Sequence, residues 1–170
     1  MCHISEDLQT WKYREENAFD KIILHDCRSD SIRAEGDRLV INFPDGFWLL
    51  PASGYIDNDV PLKTGPAQLQ IQGLAGYCPL DSVDLFKTTY LFRKPVLCRR
   101  IRMDAPDFLK RINDGNHELE FLWEYHRPGN ALYQCWLWQK DNRVEAECQM
   151  ELTVQSIQYC WNEVLPDRKW

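Results

Sequence analysis

HELEFLWEYHRPGNALYQCWLWQKDNRVEAECQMELTV, residues 117–154, contains three runs separated by two turn signals. In the first run the odd positions are Leu119, Phe121, Trp123 and Tyr125, and the even ones Glu118, Glu120, Leu122, Glu124 and His126. In the third run the even positions carry Val144, Ala146, Cys148, Met150, Leu152 and Val154. Its odd positions carry Arg143, Glu145, Glu147, Gln149, Glu151 and Thr153. Neighbouring strand residues point to opposite faces, so this period of two marks half-buried antiparallel strands. The middle run, 131–139, is apolar at both parities, and pairing has to orient it. A two-residue turn at Asp141-Asn142 would set Leu137 against Ala146, Cys135 against Cys148 and Tyr133 against Met150 on the buried face. It would set Trp138 against Glu145 and Trp136 against Glu147 on the other. Parity with the first run then requires an odd turn around Arg127-Pro128-Gly129-Asn130, of three or five residues with a left-handed glycine. The outer face of the unit is thus expected to carry Glu118, Glu120, Glu124, Glu145, Glu147 and Glu151, with Trp136, Trp138 and Leu122 among them. A slip of one residue would turn both Trp inward.

The same periodicity extends upstream. In LHDCRSDSIRAEGDRLVINFPDGFWLLP, residues 24–51, a strand at 28–34 is followed by a Gly36-Asp37 turn and the alternation of Leu39, Ile41 and Phe43. Pro44-Asp45-Gly46 turns the chain again into a strand at 47–50. Residues 51–66 hold three Pro and two Gly and read as one long surface loop. Strands are expected at 67–74, 83–93, 96–103 and 157–163. Asp104 can cap a short helix over 105–113 that buries Phe108, Leu109 and Ile112, and Ser5 can cap another carrying Leu8 and Trp11. The fold class is therefore mainly β with a minor α part. It is an antiparallel sandwich or a strongly bent, barrel-like sheet of about ten strands.

A chain of 170 residues suits a single domain, 1–170. Seven Trp, seven Tyr and seven Phe argue against disorder. The net charge of −6 favours basic partners over nucleic acid. No apolar run is long enough for a membrane span, and the polar start MCHISEDLQT is not a secretory signal. Seven Cys without a C-x-x-C fit reduced thiols in a cytoplasmic protein and exclude a zinc ribbon.

Chemistry-bearing motifs are sparse. On a strand His25 and Asp26 would point to opposite faces, which disfavours a dyad. Ser29, Ser31 and Ser53 lack a nucleophile-elbow context. Asp57 and Asp59 are too few for an EF-hand loop. His126 shares the parity of the glutamates and His117 does not, so a solvated acidic face is favoured over a metal site. Residues 87–111 carry eight cations against Asp104 and Asp107, a net +6. Arg99, Arg100 and Arg102 form a candidate anion site there, unless cross-strand acids neutralise them.

The 24–51 stretch resembles the start of small bacterial β-rich proteins, some of them similar to the immunity proteins of bacterial toxin systems. The shared pattern is His-Asp, a strand, a Gly-Asp turn, a second strand and an aromatic-rich third, over 28 of 170 residues. The resemblance implies a cytoplasmic, non-catalytic protein that binds another protein, and it transfers no site residue. The sequence reading is thus a protein-binding domain without cofactor or metal. It docks a basic partner through Glu118, Glu120, Glu124, Trp136, Trp138, Glu145, Glu147 and Glu151. The alternative is a small-molecule-binding or enzymatic barrel lidded by 51–66, with Tyr55, His25 or His126 as its polar groups.

Overall fold

Leu39, Ile41, Phe43, Leu69, Ile71, Tyr159 and Trp161 recur at every second position of their strands and are all fully buried, as one inner face of a sandwich requires. The computed structural model describes residues 10–170, which form fifteen strands and one α-helix. The strands are β1 (Tyr13–Glu16), β2 (Ile22–Ile23), β3 (Cys27–Ser29), β4 (Ser31–Glu35), β5 (Arg38–Phe43), β6 (Trp48–Leu49), β7 (Leu62–Thr64) and β8 (Ala67–Gln72). They continue as β9 (Leu80–Leu91), β10 (Lys94–Asp104), β11 (His117–Arg127), β12 (Asn130–Gln139), β13 (Arg143–Thr153), β14 (Ser156–Trp161) and β15 (Val164–Lys169), with α1 (Ala105–Ile112) after β10. Three antiparallel sheets result: β1-β14-β8-β5-β4, β10-β9-β13-β12-β11-β3, and β15-β7-β6-β2.

The five- and six-stranded sheets share one core. Phe43 of β5 meets Phe121 of β11 at 5.2 Å between ring centres, and Phe47 packs edge-on against Tyr159 at 5.7 Å. Val83, Leu85, Leu119, Tyr133, Cys135, Leu137, Ala146, Cys148 and Met150 fill the other side of the same cluster. Both large sheets have open edges, so the sandwich form holds and the barrel does not. Residues 51–66 are not a single loop, because Pro51–Ser53 makes a 3-10 turn and β7 pairs with β6 and β15. Tyr55 is no lid residue either. Its hydroxyl donates to Glu15 and its ring packs edge-on against Trp161 at 5.0 Å.

α1 forms where expected. Asp104 Oδ1 accepts the Asp107 amide at 3.1 Å, Pro106 sits in the first turn where no amide is needed, and Phe108 and Ile112 are buried. Asn113 ends the helix and clamps β4 through the Ile32 amide (3.1 Å) and carbonyl (2.7 Å). Of the expected N-terminal helix, Ser5 and Leu8 lie outside the described residues, whereas Trp11 is not helical and Tyr13–Glu16 is a strand edge. The strand expected at 28–34 is two, since the chain passes from the six-stranded sheet to the five-stranded one at Asp30.

The central pairings match the sequence reading: Leu137↔Ala146, Cys135↔Cys148, Tyr133↔Met150 and Trp136↔Glu147. The route to them differs at both ends. The β12–β13 turn has three residues, Lys140–Asn142, with Asn142 at φ +62°, and a bulge restores the register by leaving Glu145 over. Trp138 therefore faces Val144, not Glu145. The β11–β12 turn has two residues, Pro128 and Gly129, with Gly129 at φ +81°. Parity is recovered by a second bulge between Phe121 and Trp123, and not by an odd turn.

Candidate docking surface on the six-stranded sheet

The bulge at Leu122 decides which side chains reach the outer face. Before it, Leu119 and Phe121 point into the core; after it, Trp123 and Tyr125 point out, at 58% and 56% exposed. Glu124 and His126 turn the other way. Glu124 accepts the Leu24 amide at 3.2 Å and bonds His126 Nε2 at 3.3 Å, and the His126 ring stacks on Phe19 at 3.7 Å. Glu124 is thus removed from the expected docking set, and His126 does not share a face with Glu118 and Glu120.

His25 and Asp26 hold this bulge in place. They occupy a turn, not a strand, with Asp26 at φ +56°. The Asp26 amide donates to the Phe121 carbonyl at 2.8 Å, and His25 Nδ1–H donates to the Leu122 carbonyl at 2.6 Å. Because the turn is not extended, the two side chains approach to 3.5 Å, contrary to the separation expected of strand neighbours. His25 lies between Trp170, stacked at 5.6 Å, and Trp123 at 5.4 Å, in an open cleft of about 330 Å³ lined also by Leu24 and Glu124. The cleft's two titratable side chains are already engaged, His25 with the Leu122 carbonyl and Asp26, and Glu124 with the Leu24 amide and His126.

Glu145, the extra residue of the other bulge, also leaves the face. It binds Lys87 at 2.6 Å, Arg111 of α1, and His117 Nε2 at 3.1 Å. Burial pushes its carboxyl up, but the hydrogen bonds from Lys87 and Arg111 outweigh burial and hold it at about 2. His117 Nδ1 meets Asp114 at 2.9 Å, and Asp114 is held low chiefly by the Asn116 amide. This cluster ties β9, β11, β13 and α1 together.

One row across the outer face, read along the strand pairing, is Arg100, Phe86, Glu147, Trp136, Glu120 and Arg28. Trp136 is 39% exposed, and Trp138 lies edge-on to it at 6.0 Å under the Arg28 guanidinium, 4.6 Å from its ring. The glutamates are largely paired: Glu118 and Glu120 with Arg28 at 3.6 and 3.3 Å, Glu147 with Gln134, and Glu151 with Arg127 at 3.9 Å. The surface is a mosaic of aromatics and paired charges, less acidic than the sequence suggests.

The candidate anion site divides as well. Arg100 and Arg102 share a face and both bind Asp84, at 2.5 and 3.3 Å, while Arg99 lies opposite Lys87 beyond the pairing with β13. Sequence reasoning missed Trp123 and Tyr125 as surface residues. Leu122 was the available signal, an apolar residue in an otherwise charged parity. Among the described residues no three His, Cys, Asp or Glu side chains converge on a common point, and no helix is long and apolar enough to cross a membrane. No family model, no curated protein and no solved structure matches the chain.

Proposed function

We propose that this protein is a non-enzymatic binding protein that docks another protein on the outer face of its six-stranded sheet. Trp123, Tyr125 and Trp136 are the anchors, and Glu118, Glu120, Glu147, Glu151 and Arg28 form the rim. The supporting observation is three exposed aromatic side chains on a rigid sheet, set among charges that are already oriented by pairing. Trp, Tyr and Arg dominate the energetics of protein interfaces, and rigid aromatics lose little entropy on docking. The immunity-type resemblance of residues 24–51 points to the same class. Because the rim charges are mostly paired, affinity rests on aromatic burial. The chain's net charge of −6 still speeds encounter with a basic partner.

The test uses the wild-type chain and a Trp123→Ala/Trp136→Ala variant as paired baits in lysate of the source cells. A protein retained by the first and lost from the second is then purified and titrated against both. The reading predicts an affinity loss on the order of 100-fold, as two truncated anchors of about 1–2 kcal/mol each imply. Equal retention of every captured protein by both baits would reject the face.

A further inference from the structure

The β9–β10 hairpin has side chains that no described element covers. β13 accompanies β9 as far as the Glu147↔Phe86 pair; from Lys87 to Arg99 the two strands pair only with each other. At about 3.4 Å per residue, the five residues Lys87–Leu91 reach about 17 Å beyond that pairing. Tyr90, Leu91, Phe92, Val96 and Leu97 are each more than half exposed, and Phe92 is 91% exposed. A lone two-stranded hairpin is marginal in water, and clustered exposed apolar side chains mark interaction sites.

The turn gives a second, independent indication. Phe92 and Arg93 lie at φ +48° and +63°. A two-residue turn with both residues left-handed favours Asn-Gly, because a β-carbon is strained there. This chain accepts that strain and sets a phenyl ring at the apex, which points to a function of the tip itself.

Charge selects the occupant. Residues 85–103 hold six cations and no acid, a net +6, so the remainder of the −6 chain carries −12. Among the described residues Arg93, Lys94 and Arg99 make no ion pair. An anionic lipid surface or a nucleic acid would meet the repulsion of the −12 remainder, whereas another copy of the chain offers it as the complement. Docking uses side chains and not the β10 edge. Pro95 lacks an amide hydrogen, a bulge between Pro95 and Leu97 breaks the register, and edge pairing would bring arginines together.

We propose that the β9–β10 arm is a self-association arm. The Phe92 tip of each copy seats on the Trp123–Tyr125–Trp136 face of the other, reciprocally about a two-fold axis. The receiving face is the one proposed above for partner binding, so self-association and partner binding exclude each other.

Sedimentation velocity between about 1 and 200 μM, in about 50 and 500 mM salt, tests this, since Debye screening tightens across that range. The wild type should reach twice its 20.2 kDa at low salt and dissociate toward monomer at high salt. Phe92→Asp should stay monomeric throughout, Arg93→Glu should weaken the dimer at least tenfold, and Trp123→Ala/Trp136→Ala should also be monomeric. A wild type monomeric at the highest concentration in low salt overturns the proposal, including one that binds anionic vesicles or nucleic acid as a monomer. So does a dimer that survives Phe92→Asp. A dimer lost in Phe92→Asp but kept in the face variant overturns the assigned receiving face. Phe92→Asp leaves that face intact, so a monomeric Phe92→Asp protein that still binds the captured partner separates this proposal from the reading of function.

Discussion

Replacing Glu145 by Gln removes the negative charge where β9, β11, β13 and α1 meet. The Glu145 side chain is 9% exposed, against Lys87 at 39% and Arg111 at 28%. Its carboxyl lies at about 2, compared with 4.5 for an unperturbed glutamate. By linkage this difference corresponds to about 3 kcal/mol at neutral pH. Water around the two partly exposed cations screens some of it, so we expect about 2 kcal/mol. The sign follows from a folded pKa below the unfolded one. The stabilisation is complete above about pH 5 and is lost as pH falls from 4.5 toward 2. Urea unfolding of wild type and Glu145→Gln suits the assay, because urea, unlike guanidinium chloride, adds no salt. The variant should be about 2 kcal/mol less stable at pH 7, and the gap should fall to about half or less by pH 3. A gap of equal size at both pH values, or none at pH 7, would refute the ion-pair cluster. Glu145 would then return to the set of docking candidates.

Other elements give sharper local outcomes. Gly46→Ala should cost about 3 kcal/mol or more in thermal or urea unfolding, because Gly46 sits at φ +74° and a β-carbon would strike the Thr64 backbone. Asp104→Ala should cost about 1 kcal/mol by loss of the cap on the Asp107 amide, with no change in oligomeric state. Tyr133→Phe should be neutral or stabilising by up to about 1 kcal/mol, since the buried Tyr133 hydroxyl has no protein partner. Destabilisation by Tyr133→Phe would show that the hydroxyl is bonded in solution.

Alternation in β13 made the sheet legible: the parity of Ala146, Cys148 and Met150 oriented β12, whose own run is apolar on both faces, and Leu137, Cys135 and Tyr133 do face them. Turn lengths were not legible, because a bulge can absorb a residue anywhere along a strand without altering the distant pairing. The bulge at Leu122 exchanged Glu124 for Trp123 and Tyr125 on the outer face, and the one at Glu145 sent that carboxylate to Lys87 and Arg111. His25 illustrates the same limit. Its bond to the Leu122 carbonyl spans 97 positions, and no local pattern announces it. Helix α1 was legible because its cap, proline and apolar spacing are all local. The exposed arm has no local mark, since Tyr90, Leu91, Phe92, Val96 and Leu97 fall in the strands expected at 83–93 and 96–103, and their exposure arises only where β9 runs on beyond β13.

Calorimetric titration decides whether the Trp123–Tyr125–Trp136 face docks a protein. The captured partner is titrated into wild type, Trp123→Ala/Trp136→Ala and Phe92→Asp, each first shown by urea unfolding to keep its stability within about 1 kcal/mol. The double variant should bind on the order of 100-fold more weakly, while Phe92→Asp, freed of competing self-association, should bind at least as tightly as wild type. Unchanged affinity in the double variant would contradict docking on this face.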